Sequence, residues 1–86
     1  MNNPNTTLAQ EAKSATHIPT PLLTPKEQEI LNWCSQGKTT SELAAILNRS
    51  ETTINFHIAN LRTKFGVTSR HAAVLKAIKL GITTLP

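Results

Sequence analysis

The feature that most constrains this chain is an apolar stripe at helical spacing between residues 51 and 65. Its members recur at i, i+4, i+7 and i+11 and are Ile54, Ile58, Leu61 and Phe65. That periodicity places them on one side of an α-helix, which must therefore face a hydrophobic core. A shorter amphipathic segment over residues 40–47 precedes this helix across a three-residue turn. The pair predicts a helix-turn-helix.

Hydroxyl side chains mark the expected starts of four helices. Thr24 and Thr39 are each followed three residues later by a glutamate, which is the spacing of a capping box, and Pro25 fits the first helical position. Ser50 and Ser69 are the N-caps expected for the other two helices. The sequence has no strand signal. It predicts an all-α four-helix bundle with a helix-turn-helix, its helices spanning about 25–36, 40–47, 51–65 and 70–80.

Left-handed residues are expected where the first three helices end. Gly37 and Gly66 follow the first and third helices, and Asn48 follows the second. Glycine adopts this conformation without a steric penalty, and asparagine adopts it more readily than most residues do. The second helix is expected to turn its apolar residues inward, namely Leu43, Ile46 and Leu47.

Composition limits the chain to a small fold. Its 86 residues allow one domain, and the low aromatic content of 3%, with no Tyr, means that the core must be built from Leu, Ile, Val and Ala. Residues 1–22, rich in Asn, Thr, Ser, Ala and Pro, predict a disordered tail or linker, which leaves residues 23–86 as the domain. A single cysteine, Cys34, excludes an intrachain disulfide and is expected in the core. Without a signal-like N-terminus or an apolar run of membrane-spanning length, the expected location is a reducing cytoplasm, away from membranes.

Positive charge is concentrated in the C-terminal half. The net charge of the chain is +4, but residues 49–86 carry six cations against Glu51 alone, a balance of +5. Residues 22–48 carry two lysines against three glutamates, a balance of −1. The positive half contains the helix with the apolar stripe, as binding to a polyanion requires.

The side of this helix opposite the stripe is suited to a DNA groove. Its residues are uncharged and mostly small, and they are Thr52, Asn55, Phe56, Ala59 and Thr63. Hydroxyl and cationic side chains flank that side, from Thr53, His57, Arg62 and Lys64. In a recognition helix, outward contacts distinguish bases and flanking contacts hold phosphates. Sequence-specific binding of double-stranded DNA is therefore the leading hypothesis.

Four dispersed segments of the chain follow a familiar order and spacing. They are LTPKEQEIL at 23–31, GKT at 37–39, TINFH at 53–57 and KFGVTSR at 64–70. Together they resemble the DNA-binding domains of the LuxR/GerE family, and most of all its quorum-sensing branch. The resemblance covers about residues 22–85. It implies transcription regulation by a homodimer on an inverted-repeat site, in a bacterial cytoplasmic protein that associates with the nucleoid when bound.

The resemblance also implies roles for individual side chains. Base contacts are expected from Asn55, Phe56 and Ala59, with Thr52 beside them on the same outward side. Asparagine can pair bidentately with adenine, and an aromatic ring can lie against a thymine methyl group. Contacts with the DNA backbone are expected from Thr39, Thr53, His57, Lys64, Arg62 and Arg49.

Two positions depart from the family pattern. The turn of the helix-turn-helix commonly holds Gly followed by a buried aliphatic residue, whereas this chain has Asn48 and Arg49. Arg49 either lays its methylene stem over the edge of the core or loosens the turn and adds a phosphate contact. Lys26 stands where Arg is usual, which affects an ion pair or backbone contact of the first helix.

The last helix is apolar on more than one side. It is therefore expected to contribute to a dimer interface as well as to the core, through Ala73, Val74, Ala77 and Ile78. An alternative function follows from the same helix: an interaction module that pairs with full-length LuxR-type regulators and modulates them. RNA polymerase and a full-length homologue are accordingly further candidate partners.

Other function classes find little support in the sequence. His17, His57 and His71 are not at metal-ligand spacing with one another or with Cys34, so no metal or other cofactor is expected. The chain has no paired carboxylates and no glycine-rich phosphate loop, which argues against an enzyme. The promoter-contacting region of a sigma factor shares the helix-turn-helix, but it explains neither the 64–70 segment nor the fourth helix.

Overall fold

The computed structural model describes residues 20–85, and every regular element in that range is an α-helix. The helices are α1 (Pro25–Ser35), α2 (Thr40–Leu47), α3 (Glu51–Phe65) and α4 (Arg70–Lys79). All four predicted helices are present, with ends within one residue of the prediction. The tail expected over residues 1–22 lies outside the described residues except for its last three positions.

Each helix begins directly after the hydroxyl residue that is expected to cap it. In α1 the Thr24 Oγ1 accepts from the Glu27 N–H at 3.1 Å, and the Glu27 carboxylate accepts in return from the Thr24 N–H at 2.9 Å. Thr39 and Glu42 make the same reciprocal pair at 3.1 and 2.8 Å. The other two N-caps each accept one backbone N–H, and they are Ser50 and Ser69. These bonds satisfy donors that helix starts leave without partners.

The turn of the helix-turn-helix depends on Asn48. It is the C-cap of α2 with φ 55° and ψ 52°, and it is the one non-glycine residue with positive φ among residues 20–85. Asparagine tolerates this left-handed conformation, as the sequence predicted. The chain can therefore reverse direction and start α3 at Glu51.

Helix α3 lies at the centre of the bundle. It packs against α1, α2 and α4, and α1 also contacts α4. The predicted stripe is buried along its whole length, from Ile54, which is fully enclosed, to Phe65 at 1% exposure. The remaining buried apolar side chains come from the other three helices and are Ile30, Leu31, Cys34, Leu43, Ala73, Val74 and Ala77. Burial raises the pKa of the Cys34 thiol, although Arg70 opposes this effect.

The prediction that Ile46 faces inward is wrong. Its side chain is 44% exposed, whereas Leu43 is fully buried and Leu47 packs at the edge of the core. The reason is that the eight-residue α2 packs mainly against one neighbour, α3. A helix with one neighbour buries a narrow stripe, and the i, i+4 pair of leucines occupies it.

Three of the four interface residues predicted for α4 also require a correction. Ala73, Val74 and Ala77 are 2, 9 and 0% exposed within a single chain, so they belong to the protomer's own core. Ile78 is half-buried and packs against the same core. Small side chains let α4 approach α1 and α3 closely, so the surface predicted to contact a partner is buried within the protomer. The large apolar residue that α4 does expose is Leu75, at 47%.

Candidate nucleic-acid interface

The outward side of α3 is open along the first half of the helix. Thr52 and Asn55 are exposed, and the Phe56 ring is 62% exposed. Ala59 follows one turn later and is half-buried. At 100° per residue, Thr52, Phe56 and Ala59 lie opposite the buried stripe, and Asn55 lies about 90° around the helix from the centre of the stripe. Ala59 is the least accessible of the four.

The Phe56 ring is held against a neighbouring side chain. Its centroid lies 5.6 Å from that of the His57 imidazole, and the two planes meet at 69°. Edge-to-face pairs of this kind are favoured by the charge distribution of aromatic rings. The contact orients the Phe56 ring while leaving most of it exposed to solvent.

Two threonines predicted to contact the DNA backbone are already used as acceptors. Thr39 Oγ1 accepts the Glu42 N–H at 3.1 Å, and Thr53 Oγ1 accepts from the Ser50 hydroxyl at 3.0 Å. Both hydroxyl hydrogens are thus left for an external oxygen. The backbone N–H of Thr39 donates to the Glu42 carboxylate at 2.8 Å and lowers the pKa of that carboxyl, and the carboxylate stands beside Thr39.

Lys64 makes two contacts within the bundle. Its Nζ donates to Glu27 Oε1 at 2.6 Å and to the Leu22 carbonyl at 3.0 Å. Burial raises the pKa of Glu27, but the bonds from Lys64 and Thr24 outweigh it, and the pKa lies below its ordinary value of 4.5. An ammonium group has three N–H donors, so one donor of Lys64 remains for the DNA contact predicted from the sequence. Its two observed contacts are structural.

The arginines on the expected phosphate-facing flanks are differently placed. Arg49 is exposed and Arg62 is half-buried. Within residues 20–85, neither guanidinium makes a hydrogen bond or an ion pair. The exposure of Arg49 is compatible with both possibilities stated for it, because the guanidinium is outside in each.

The sequence assigned no role to Thr40, and none to Arg70 beyond its place in the 64–70 segment. In the structure, Arg70 Nη1 donates to the Lys38 carbonyl at 3.1 Å and Nη2 donates to Thr40 Oγ1. The Thr40 hydroxyl in turn donates to Asn55 Oδ1, with 3.4 Å between the oxygens. In the sequence, the only signal for a role of Arg70 is its position at the end of the 64–70 segment, and that position does not indicate that Arg70 bonds to Lys38 and Thr40.

Two negative findings apply to the described part of the chain. None of the helices in residues 20–85 has the length and apolar character needed to cross a membrane. Over the same residues, no three His, Cys, Asp or Glu side chains come together in a way that suits a metal ion. His17 lies outside the described range.

Known proteins are similar to this chain in both sequence and fold. The family model described as "Bacterial regulatory proteins, luxR family" matches residues 21–77. The quorum sensing-dependent transcriptional regulator RpaR of Rhodopseudomonas palustris is 46% identical over 63 residues, covering 73% of this chain and 26% of RpaR. The transcriptional activator LuxR of Aliivibrio fischeri is 40% identical over 65 residues, covering 76% of this chain and 26% of LuxR. This chain thus spans about a quarter of the length of these two regulators.

Solved structures give the same result. The transcription factor GerE superimposes with a TM-score of 0.71 at 34% identity, over 78% of this chain and all of the GerE chain. SdiA of Escherichia coli superimposes with a TM-score of 0.76 at 31% identity, over 91% of this chain and 33% of SdiA. The chain has four helices with a helix-turn-helix at α2 and α3, and the family model matches residues 21–77. It therefore belongs to the luxR family of bacterial regulatory proteins, which are DNA-binding transcription regulators and not enzymes.

Proposed function

We propose that this chain binds double-stranded DNA sequence-specifically by placing α3 in the major groove, and that it regulates transcription from the bound site. The observation that supports this most strongly is the exposure of Asn55 and of the 62% exposed Phe56 on α3, whose apolar stripe is buried in the bundle. The major groove is wide enough for one α-helix, and amide and aromatic side chains distinguish base edges there. Thr52 and Ala59 complete the proposed base-contacting surface.

Cations and hydroxyls around that surface are proposed to hold the DNA backbone. Arg49 lies in the turn before α3, and Arg62 lies in its last turn, so the two bracket the helix. Thr39 and Thr53 each retain a hydroxyl hydrogen for a phosphate oxygen. His57 and the third donor of Lys64 complete the set. Such contacts fix the orientation of the protein on the duplex without selecting a sequence.

We propose that two copies bind an inverted repeat through contacts of α4. The groove between α1 and α4 is lined by Leu75, Ile78 and Leu85. Its two leucines are exposed, Leu75 at 47% and Leu85 at 71%. Two-fold symmetry of the dimer imposes two-fold symmetry on its site, with half-sites about 34–36 Å apart. The similarity to RpaR, which is described as a quorum sensing-dependent regulator, suggests cell-density-dependent regulation as the context.

Selection of bound duplexes from a random pool tests this proposal. The selected sites are expected to contain an inverted repeat, and Asn55→Ala is expected to weaken binding to that site by about 1–3 kcal/mol. Binding of Asn55→Ala to a random duplex should match that of the parent, because the substitution leaves the backbone contacts in place. Equal binding of parent and variant to the selected site would contradict the recognition role of α3.

The exposure of Leu75 and Leu85 also favours the alternative function, a module that pairs with full-length LuxR-type regulators. Co-purification with a full-length homologue separates the two functions. An interaction module keeps its partner in Asn55→Ala and loses it in Leu75→Glu. A DNA-binding regulator without this second function does not retain the homologue in either variant once DNA has been digested.

A further inference from the structure

The Asn55 side chain stands at the end of a series of contacts that begins on α4. Arg70, the first residue of α4, donates to the Lys38 carbonyl at 3.1 Å and to Thr40 Oγ1. Thr40 is the first residue of α2, and its hydroxyl donates to Asn55 Oδ1 on α3, with the oxygens 3.4 Å apart. The series therefore links α4, α2 and α3 and ends at one exposed amide group.

The order of donors and acceptors in this series determines how the amide is turned. The Thr40 oxygen accepts a charge-assisted bond from the Arg70 guanidinium, so its own hydrogen points elsewhere, and Asn55 Oδ1 is its acceptor. A positive charge one hydroxyl away also favours the negative end of the amide dipole on that side. The amide oxygen of Asn55 thus faces α2. Its Nδ2 group, with two N–H donors, lies on the opposite side of an exposed side chain.

We propose that Thr40 and Arg70 are positioning residues that make Asn55 a hydrogen-bond donor toward DNA, a proposal that rests on the proposed function. An asparagine that is free to turn pairs bidentately with adenine, because it offers its oxygen and its nitrogen together. With its oxygen turned toward Thr40 and α2, Asn55 presents its N–H groups to the groove. It therefore recognises acceptors in the major groove, which are N7 of either purine, O6 of guanine and O4 of thymine.

This assignment changes the expected specificity at one base position. Cytosine presents only its N4 amino donors in the major groove, so it faces the Asn55 donors without an acceptor. Adenine and guanine both present N7 and satisfy the same donor. The position facing Asn55 should therefore reject cytosine and accept both purines, instead of selecting adenine alone.

The test starts from a duplex selected by the parent protein. The position facing Asn55 is the one where base preference disappears in Asn55→Ala. At that position the parent should bind both purines within about threefold and cytosine about tenfold more weakly. Replacing the purine there with its 7-deaza analogue, which lacks N7, should weaken binding by the parent about tenfold and leave Asn55→Ala unaffected.

Variants of Thr40 and Arg70 separate positioning from a merely structural role. Thr40→Val keeps the shape and removes the hydroxyl, and we expect it to prefer adenine over guanine by about tenfold because the amide can now turn. Arg70→Met, which keeps the stem and removes the charge, should shift the preference in the same direction. Thr40→Ser restores the hydroxyl and should show the parent pattern. Thermal unfolding of each variant verifies that it is folded.

Three results would count against the proposal, and they are distinguishable. A parent that prefers adenine over guanine tenfold overturns the donor orientation. Thr40→Val with the same base preferences as the parent overturns the role of Thr40, even where Asn55 recognises a base. If Asn55→Ala changes preference at no position, the base contact in the proposed function fails, and this inference fails with it.

Discussion

The Nζ atom of Lys64 lies 2.6 Å from Oε1 of Glu27, although the two residues are 37 positions apart in the sequence. The Glu27 side chain is 5% exposed and that of Lys64 is 34% exposed, so the pair is partly withdrawn from water. It joins the first turn of α1 to the last turn of α3. A withdrawn carboxylate requires such partners, because burying a charge without them is costly.

Removal of Lys64 should therefore destabilise the fold. We expect Lys64→Ala to lower the free energy of unfolding by about 2 kcal/mol, because Glu27 keeps its charge and loses its cation. Lys26→Ala is the matched control, since its pair with Glu29 is exposed on α1, and it should change stability by less than about 0.5 kcal/mol. Urea denaturation measures both variants. Equal effects would show that the Lys64 pair is no stronger than a surface ion pair.

Acid should weaken the same contact. The folded-state pKa of Glu27 lies below its ordinary value of 4.5, so its contribution to stability is complete above about pH 4.5 and is lost as the pH falls through the lower folded value. We expect the free energy of unfolding to decrease on acidification over that range. Glu27→Gln and Lys64→Met should both show a shallower decrease in denaturation series from pH 7 to pH 3. A slope unchanged by either substitution would refute this origin.

The left-handed turn at Asn48 should distinguish glycine from alanine. Asn48→Gly is expected to preserve or slightly raise stability, because glycine has no Cβ to clash at φ 55°. Asn48→Ala should cost about 1 kcal/mol, since an alanine in this conformation is strained. Thermal unfolding compares the two variants. An alanine variant as stable as the glycine variant would mean that the turn relaxes to another conformation.

Phe56 should affect DNA binding without affecting the fold. Its ring is 62% exposed, so Phe56→Ala is expected to change the free energy of unfolding by less than about 0.5 kcal/mol. If the ring lies against a thymine methyl group, replacing that thymine with uracil should weaken binding by the parent severalfold, at about 1 kcal/mol. Phe56→Ala should bind both duplexes equally. Parent binding that is insensitive to the methyl group at every thymine would exclude the contact.

Two substitutions on α4 should separate folding from dimerisation. Ala77 is fully buried, so Ala77→Glu is expected to cost more than about 3 kcal/mol by burying a charge without a partner. Leu75 is 47% exposed, so Leu75→Glu should leave the fold intact and weaken only a contact between copies. Circular dichroism reports the first effect, and light scattering with and without the DNA site reports the second. Dimers that persist in Leu75→Glu would place the interface elsewhere.

Local signals predicted most of the fold. The start of each helix depends on a hydroxyl and the backbone amide three residues later, and its end depends on a residue that tolerates a left-handed backbone. Both signals lie within a few residues, so Thr24, Ser50 and Asn48 could be assigned from sequence. The i, i+4 periodicity likewise identified the buried side of α3, and with it the outward position of Asn55.

Contacts between helices could not be predicted in the same way. Periodicity gives the direction of a buried stripe but not its width, which depends on how many neighbours a helix has. For this reason periodicity predicts a buried Ile46 and a partner-facing Ala77, whereas Ile46 is exposed and Ala77 is buried. The bonds of Lys64 to Glu27 and of Arg70 to Thr40 join residues 37 and 30 positions apart, so they arise only after the helices have packed.

Base-contact assignments have a related limit. Sequence placed Asn55 on the outward side of α3, but the orientation of its amide depends on a hydroxyl from α2 and a guanidinium from α4. Neither group lies near it in the sequence. The chemistry that a side chain presents to a ligand is thus determined by its neighbours as well as by its residue type.

The second bond of Lys64 has a mechanical consequence. By holding the Leu22 carbonyl at 3.0 Å, the ammonium fixes the point where the polypeptide enters the bundle, beside the C-terminal end of α3. Leu22 is thereby joined to α3 by a hydrogen bond and to α1 by the two backbone residues before Pro25, so one cation couples the entry of α1 to the C-terminal end of α3.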